Sequence, residues 1–124
     1  MIGYVTLGTN DFEKSAQFYD ALLANLGAQR LMESDSFILW SVSDDKPEFA
    51  ITKPFDGNPA TVGNGVMIAF ALNSRKEVDE LYSKAIELGA SDEGPSGLRG
   101  GEFYAGYIRD LDGNKLNFFT MAKS

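Results

Sequence analysis

The apolar residues of this chain follow strand and helix periods in turn. Residues 2–7 alternate around β-branched and aromatic side chains, which predicts a strand that ends at Gly8. A helix is predicted next, because Asn10 or Asp11 can cap it and apolar residues recur at three- and four-residue spacing: Phe12, Ala16, Tyr19, Leu23 and Leu26. Three short strands are predicted after this helix, at residues 29–33, 37–42 and 49–53.

The same order begins again after residues 54–65, a connector rich in Gly, Pro and Asn. Residues 66–71 predict a strand, and residues 74–77 form a capping box for a second helix with the apolar stripe Val78, Leu81, Ala85 and Leu88. Two final strands, at 103–108 and 116–121, flank an Asp-Gly-Asn cluster that predicts a hairpin. The glycine-rich stretch at 92–101 predicts a mobile connector, with a lid as the alternative.

A short sequence also repeats, since Leu88-Gly89-Ala90 matches Leu26-Gly27-Ala28 half a chain length earlier. We interpret the repeat as an internal duplication within one domain, with module 1 at about 1–53 and module 2 at about 66–124. Each module reads β-α-β-β-β, so the predicted fold is α+β. Two helices would cover one face of a strongly curved antiparallel sheet, and the opposite face would enclose a cavity. The alternative is a ferredoxin-like sandwich with a filled core.

The composition narrows the function classes. A net charge of −7 and a pI near 4.4 argue against binding to nucleic acid or to an anionic membrane surface. Cys and His are both absent, so the chain has no thiol nucleophile and no imidazole, and any acid or base must be Asp, Glu, Lys or Tyr. The N-terminus lacks a signal-peptide pattern and the longest apolar run, 66–72, is too short to span a bilayer, so we expect a cytoplasmic protein.

Three blocks of sequence point to a known family. They are residues 4–11 followed by Phe18-Tyr19, residues 63–67, and residues 104–117, which contain the hairpin sequence Arg-Asp-Leu-Asp-Gly-Asn. Together they resemble the vicinal oxygen chelate superfamily of glyoxalases, bleomycin-resistance and fosfomycin-resistance proteins and extradiol dioxygenases. The resemblance implies that the paired modules form a curved half-open barrel, and that the chain forms a homodimer.

The resemblance also implies a site for a divalent metal, held in the family by two His and one Glu. Tyr4, Met67 and Asn117 occupy those three positions in this sequence. A phenol binds a cation well only after losing a proton that it keeps up to about pH 10, a thioether is soft, and an amide oxygen is a weak neutral donor. We therefore expect no catalytic metal there and no cofactor. A metal enzyme with new ligands, such as Glu102 or Glu48, is an alternative that nothing in their spacing supports.

The first functional hypothesis is a protein that binds a small, partly aromatic ligand. Aromatic, thioether and polar side chains are the mixture expected of small-molecule pockets. The residues predicted to line such a pocket are Tyr4, Trp40, Met67, Tyr104, Tyr107, Arg109 and Asn117. For Trp40 and Met67 the alternative is plain core packing, since apolar strand residues are usually buried.

The second hypothesis is a metal-independent, glyoxalase-like lyase or isomerase that acts on a carbonyl or hydroxy-acid substrate. If the hairpin pairs Arg109 with Lys115, then Tyr107 faces Asn117 and both point into the cavity with Tyr4. Tyr107 and Tyr4 would be the catalytic residues, with the phenol and the amide donating to a developing oxyanion. Arg109 would hold an anionic group, and its alternative role is an ion pair with Asp110.

Overall fold

The chain folds as two consecutive β-α-β-β-β units, as the repeat predicts. The computed structural model describes residues 1–124, and its units are Met1–Val62 and Gly63–Ser124. The boundary between them falls within the connector predicted at 54–65. Neither helix has the length and apolar character that crossing a membrane would need.

The first unit places its helix against one face of a four-stranded sheet. Its elements are β1 (Tyr4–Gly8), α1 (Phe12–Ala24), β2 (Gln29–Glu33), β3 (Phe37–Ser41) and β4 (Glu48–Thr52). Helix α1 begins after Asp11, whose side chain accepts a hydrogen bond from the backbone N–H of Lys14. The strand order is β1-β4-β3-β2. The Tyr19 ring of α1 packs against Trp40 and Phe49, so the core of this unit lies between α1 and the sheet.

The second unit repeats this plan. Its elements are β5 (Ile68–Ala71), α2 (Arg75–Glu87), β6 (Ser91–Leu98), β7 (Tyr104–Arg109) and β8 (Lys115–Thr120). Helix α2 begins after Ser74, whose side chain accepts a hydrogen bond from the backbone N–H of Glu77 at 3.1 Å, as the predicted capping box requires. The strand order is β5-β8-β7-β6, so β7 lies between β6 and β8.

The α+β class and the duplicated order of elements are confirmed, and two details of the expectation are wrong. The sheets are mixed, because β1 pairs in parallel with β4 and β5 pairs in parallel with β8. The glycine-rich stretch is not a connector, since most of it forms β6 and pairs with β7. The sequence of this strand, Ser-Asp-Glu-Gly-Pro-Ser-Gly-Leu, has no apolar alternation that would have identified it, and its register with β7 shifts on both sides of Gly94. The alternative of a single ferredoxin-like sandwich is wrong, because the strands form two separate four-stranded sheets.

Candidate functional site

The hairpin between β7 and β8 is fixed by a buried carboxylate. Asp110 is 5% exposed, and its Oδ1 accepts hydrogen bonds from the backbone N–H groups of Asp112 and Asn114, each at 2.9 Å. The amide Nδ2 of Asn114 donates to Oδ2 of Asp110 at 3.1 Å. Gly113 has a φ of 93°, which glycine adopts without strain. This turn connects β7 to β8 and sets the register in which the two strands pair.

The register places Tyr107 directly opposite Asn117, as predicted, because Arg109 pairs with Lys115. A Cβ added at Gly106 would lie 3.2 Å from Cδ1 of Tyr82 on α2, so Gly106 faces the helix. Side chains alternate along a strand, and therefore Tyr107 and Asn117 lie on the opposite face of the sheet. We call this the far face. Its side chains from β7 and β8 are Ala105, Tyr107, Arg109, Lys115, Asn117 and Phe119.

Tyr107 and Asn117 differ in how far the protein satisfies their polar atoms. Tyr107 is half-buried, and its hydroxyl makes no hydrogen bond within the chain. Asn117 is 1% exposed, and its Nδ2 donates to the backbone carbonyl of Gly106 at 3.2 Å, which orients the amide. The pair thus offers a phenolic O–H beside an amide that β7 holds in place.

Tyr104 does not join this pair. Its hydroxyl donates to Oδ1 of Asp79 on α2 at 2.7 Å, and the guanidinium of Arg75 lies 5.3 Å from the centre of its ring. The hydrogen bond with Asp79 raises the pKa of the Tyr104 phenol above its usual range. Tyr104 is three residues from Tyr107 on the same strand, and strand alternation therefore places it on the helix side.

Trp40 takes the role of a core residue in the first unit. It is 2% exposed, and its indole Nε1 donates to Oδ1 of Asp20 on α1 at 3.0 Å. Trp40 is therefore packed in the core, which was the alternative to a pocket-lining role for this residue. Tyr4 lies on β1 of the same unit, 56% exposed, with its ring edge-on to Phe37 at a centroid distance of 6.4 Å.

Arg109 is engaged by a residue that the sequence did not suggest. Its Nε donates to Oε1 of Glu93 on β6, and its Nη1 donates to the backbone carbonyl of Gly113 at 3.1 Å. The alternative role predicted for Arg109 was an ion pair with Asp110. Arg109 does form an ion pair, but its partner is Glu93. The carboxylate of Asp110 is committed to the turn, and β6 supplies Glu93 in its place.

The three residues at the family's metal positions do not fit a divalent ion. Tyr4 belongs to the first unit, and Met67 directly precedes β5 with 40% of its surface exposed. Neither the thioether of Met67 nor the amide of Asn117 supplies negative charge to offset that of the ion. Glu102, the alternative ligand, lies 3.5 Å from Arg75 in an ion pair, and Glu48 pairs in register with Tyr4. The absence of a bound metal stays a prediction.

Two cations near Tyr107 were not among the predicted site residues. The guanidinium of Arg99 and the Nζ of Lys115 each lie 5.5 Å from the centre of the Tyr107 ring. Alternation on β8 would have indicated Lys115, because it is two residues from Asn117. Arg99 and Glu93 reach the far face only through β6, for which the sequence has no strand pattern.

Comparisons with known proteins agree on the family and the fold. Residues 1–118 match the family model described as "Glyoxalase/Bleomycin resistance protein/Dioxygenase superfamily". A glyoxalase/bleomycin resistance protein from Albidiferax ferrireducens T118 is 37% identical, with a TM-score of 0.88 over 97% of this chain and 98% of that one. A hypothetical protein from S. aureus is 27% identical, with a TM-score of 0.75 over 97% and 92%.

A third solved structure shows the fold at lower identity. A lactoylglutathione lyase from Agrobacterium tumefaciens is 18% identical, with a TM-score of 0.70 over 97% of this chain and 90% of that one. No curated protein matches the chain. The resemblance read from the three sequence blocks is therefore confirmed by the family match and by the relative from Albidiferax ferrireducens.

Proposed function

Because the chain belongs to the glyoxalase/bleomycin resistance protein/dioxygenase superfamily, we propose that it binds a small ligand on the far face of its second sheet. The observation that carries this proposal is the unpartnered hydroxyl of Tyr107, which stands opposite Asn117 on that face. A half-buried phenol with a free O–H is suited to fix the orientation of a bound molecule.

The other tyrosines of this unit support the proposal by contrast. The hydroxyl of Tyr82 donates to Oδ1 of Asp92, and that of Tyr104 donates to Oδ1 of Asp79, both at 2.7 Å. The hydrogen-bonding capacity of these two phenols is therefore used within the protein. The Tyr107 hydroxyl, by contrast, has no partner within the chain and is not a buried atom, so it is open to a ligand with an acceptor group.

A metal-independent lyase or isomerase is the second candidate, and one observation favours it. Strand β6 brings the carboxylate of Glu93 to Arg109, whose side chain lies on the same face as Tyr107. The far face thus holds a carboxylate and a phenol, which can act as a general base and a general acid on a carbonyl compound, beside the neutral amide of Asn117. In this candidate Tyr107 donates to the developing oxyanion.

A thermal-shift screen of small aromatic compounds, α-keto acids and thiol adducts tests the proposal, followed by calorimetric titration of any hit. We expect Tyr107→Phe to weaken binding by about tenfold, because one hydrogen bond is lost. Tyr104→Phe is the matched control, since it removes a hydroxyl from the same strand on the helix side. Equal affinities for the wild type and Tyr107→Phe, or no hit at all, would contradict the proposal.

The compounds that bind in this screen also distinguish the two candidate functions. Each compound is incubated with the protein, and the mixture is analysed for product by mass spectrometry. Binding without turnover supports the binding protein. The lyase or isomerase is supported if the wild type converts a compound and the Tyr107→Phe variant still binds that compound but no longer converts it.

We also propose that the chain forms a homodimer, which its family membership supports. Sedimentation velocity over a range of concentrations tests this directly. A sedimentation coefficient that stays at the monomer value at the highest concentration would contradict it.

A further inference from the structure

Two positive charges flank the ring of Tyr107 on the far face. Strand β7 lies between β6 and β8, and Tyr107 pairs with Gly94 on one side and Asn117 on the other. Arg99, which follows β6, and Lys115, which begins β8, each place their charge 5.5 Å from the centre of its ring. We call Arg99, Tyr107 and Lys115 the Tyr107 cluster.

The backbone of β6 gives the guanidinium of Arg99 a defined place. A Cβ added at Gly94 would lie 3.3 Å from Nη2 of Arg99 and 3.3 Å from Cδ2 of Tyr107. A Cβ at Gly97 would lie 3.3 Å from Nη1 of Arg99. The guanidinium therefore packs over two glycines, and its Nη2 also donates to the backbone carbonyl of Pro95. These contacts hold Arg99 against the tyrosine ring.

Neither cation of the cluster has an acidic partner. The cations of the chain's ion pairs are Lys14, Arg30, Arg75, Lys84 and Arg109. Acidic residues outnumber basic ones, 18 to 11, so the missing partner does not reflect a shortage of carboxylates. Arg109, on the same face, has such a partner in Glu93. The ring of Tyr107 attracts both cations but leaves their charge uncompensated.

We infer that the Tyr107 cluster binds the anionic group of the ligand, a carboxylate or a phosphate. This inference rests on the proposed function and names the chemical class of the ligand. A guanidinium can donate two parallel hydrogen bonds to such a group, an ammonium adds a second charge, and the free phenolic O–H adds a third donor. Arg109, the residue that the sequence suggested for this task, is already neutralised by Glu93.

Titration with succinate and with inorganic phosphate tests the inference, with NaCl used to keep the ionic strength constant. Amide chemical shifts in two-dimensional NMR spectra report both affinity and location. We expect saturable shifts in β6, β7 and β8, and a loss of affinity of about tenfold in Arg99→Gln and in Lys115→Gln. Lys76→Gln is the matched control, because Lys76 is an exposed cation of α2 that makes no ion pair.

The outcomes separate this inference from the proposed function. Saturable binding of either anion that the two cluster variants weaken supports the inference, and the tighter anion identifies the preferred group. An equal effect of Lys76→Gln would overturn it, because attraction would then follow net charge alone. If neutral aromatic ligands bind through Tyr107 and neither anion does, the inference fails and the proposed function stands. If neither class binds, both fail. Circular dichroism checks that each variant is folded.

Discussion

Glu93 accepts a hydrogen bond from Nε of Arg109, and the pair joins β6 to β7 on the far face. The pair leaves Arg99 and Lys115 as the uncompensated cations around Tyr107. The carboxylate of Glu93 consequently has two effects. It stabilises Arg109 locally, and it reduces the positive potential that an incoming anion meets.

Neutralising Glu93 should therefore increase anion affinity. In Glu93→Gln we expect phosphate to bind about threefold more tightly, because a negative charge within a Debye length of the Tyr107 cluster is removed. The NMR titration measures this change at constant ionic strength. Glu80→Gln, an equal change of net charge on the exposed side of α2, should have no such effect. Unchanged or weaker phosphate binding in Glu93→Gln would contradict the prediction.

Removing the carboxylate of Asp110 should destabilise the second unit. Asp110→Ala leaves the backbone N–H groups of Asp112 and Asn114 without their acceptor, in a turn whose two ends, Asp110 and Asn114, are buried. We expect the free energy of unfolding to fall by about 2 kcal/mol, as for other buried groups that lose a partner. Urea denaturation measures the change. Asp110→Asn keeps one acceptor oxygen, so a smaller loss is expected, and a loss as large as that of Asp110→Ala would argue against this account.

The parts of the fold that the sequence predicts are those that local chemistry determines. Asp110, Gly113 and Asn114 satisfy the turn between themselves, so the hairpin register follows from a few adjacent residues. That register then places Tyr107 opposite Asn117 without further information. The helices are predicted equally well, because each has a capping side chain and an apolar stripe next to it in the sequence.

The parts that the sequence did not predict depend on contacts between distant segments. Strand β6 is held by its pairing with β7 and has almost no apolar residues of its own, so neither Glu93 nor Arg99 was placed on the far face. The side of the sheet to which Tyr104 belongs depends on which face α2 covers, and that is set by packing of the whole unit. Trp40 shows the same limit, since its partner Asp20 is twenty residues away on α1.

The glycines under Arg99 should differ in their tolerance of a side chain. Gly94 has a φ of 154° and its Cβ would meet both Arg99 and Tyr107, so we expect Gly94→Ala to cost about 1 to 2 kcal/mol of stability. Gly97 has no positive φ and its Cβ would meet only the flexible end of Arg99, so Gly97→Ala should cost less than about 1 kcal/mol. Urea denaturation of both variants measures the difference. Equal costs would show that the backbone of Gly94 is not restrictive.

Asp20 should give the first unit a stability that depends on pH. Its Oδ1 accepts hydrogen bonds from Nε of Arg30 at 2.9 Å and from the Trp40 indole at 3.0 Å, and its Oδ2 accepts from Nη2 of Arg30 at 2.6 Å. The bond with Arg30 is the main cause that lowers the pKa of Asp20 below its ordinary value of 3.8, while burial opposes the shift. Folded chains therefore bind fewer protons at Asp20 than unfolded chains do.

A carboxyl with a lowered pKa stabilises the fold fully above its unfolded pKa, and the effect is lost as the pH falls through the lower, folded pKa. Asp20→Asn should therefore reduce stability at pH 7 by about 1 kcal/mol, a figure discounted because the Asp20 side chain is 42% exposed. The difference in stability between Asp20→Asn and the wild type should narrow as the pH falls below the unfolded pKa of 3.8.

Urea denaturation at pH 7 and pH 3 measures the stability of both proteins. The control is Asp35→Asn, which changes an exposed carboxyl in the β2–β3 turn and should differ little from the wild type at either pH. A gap for Asp20→Asn that is the same at both pH values would show that the ionised carboxylate contributes nothing beyond its hydrogen bonds.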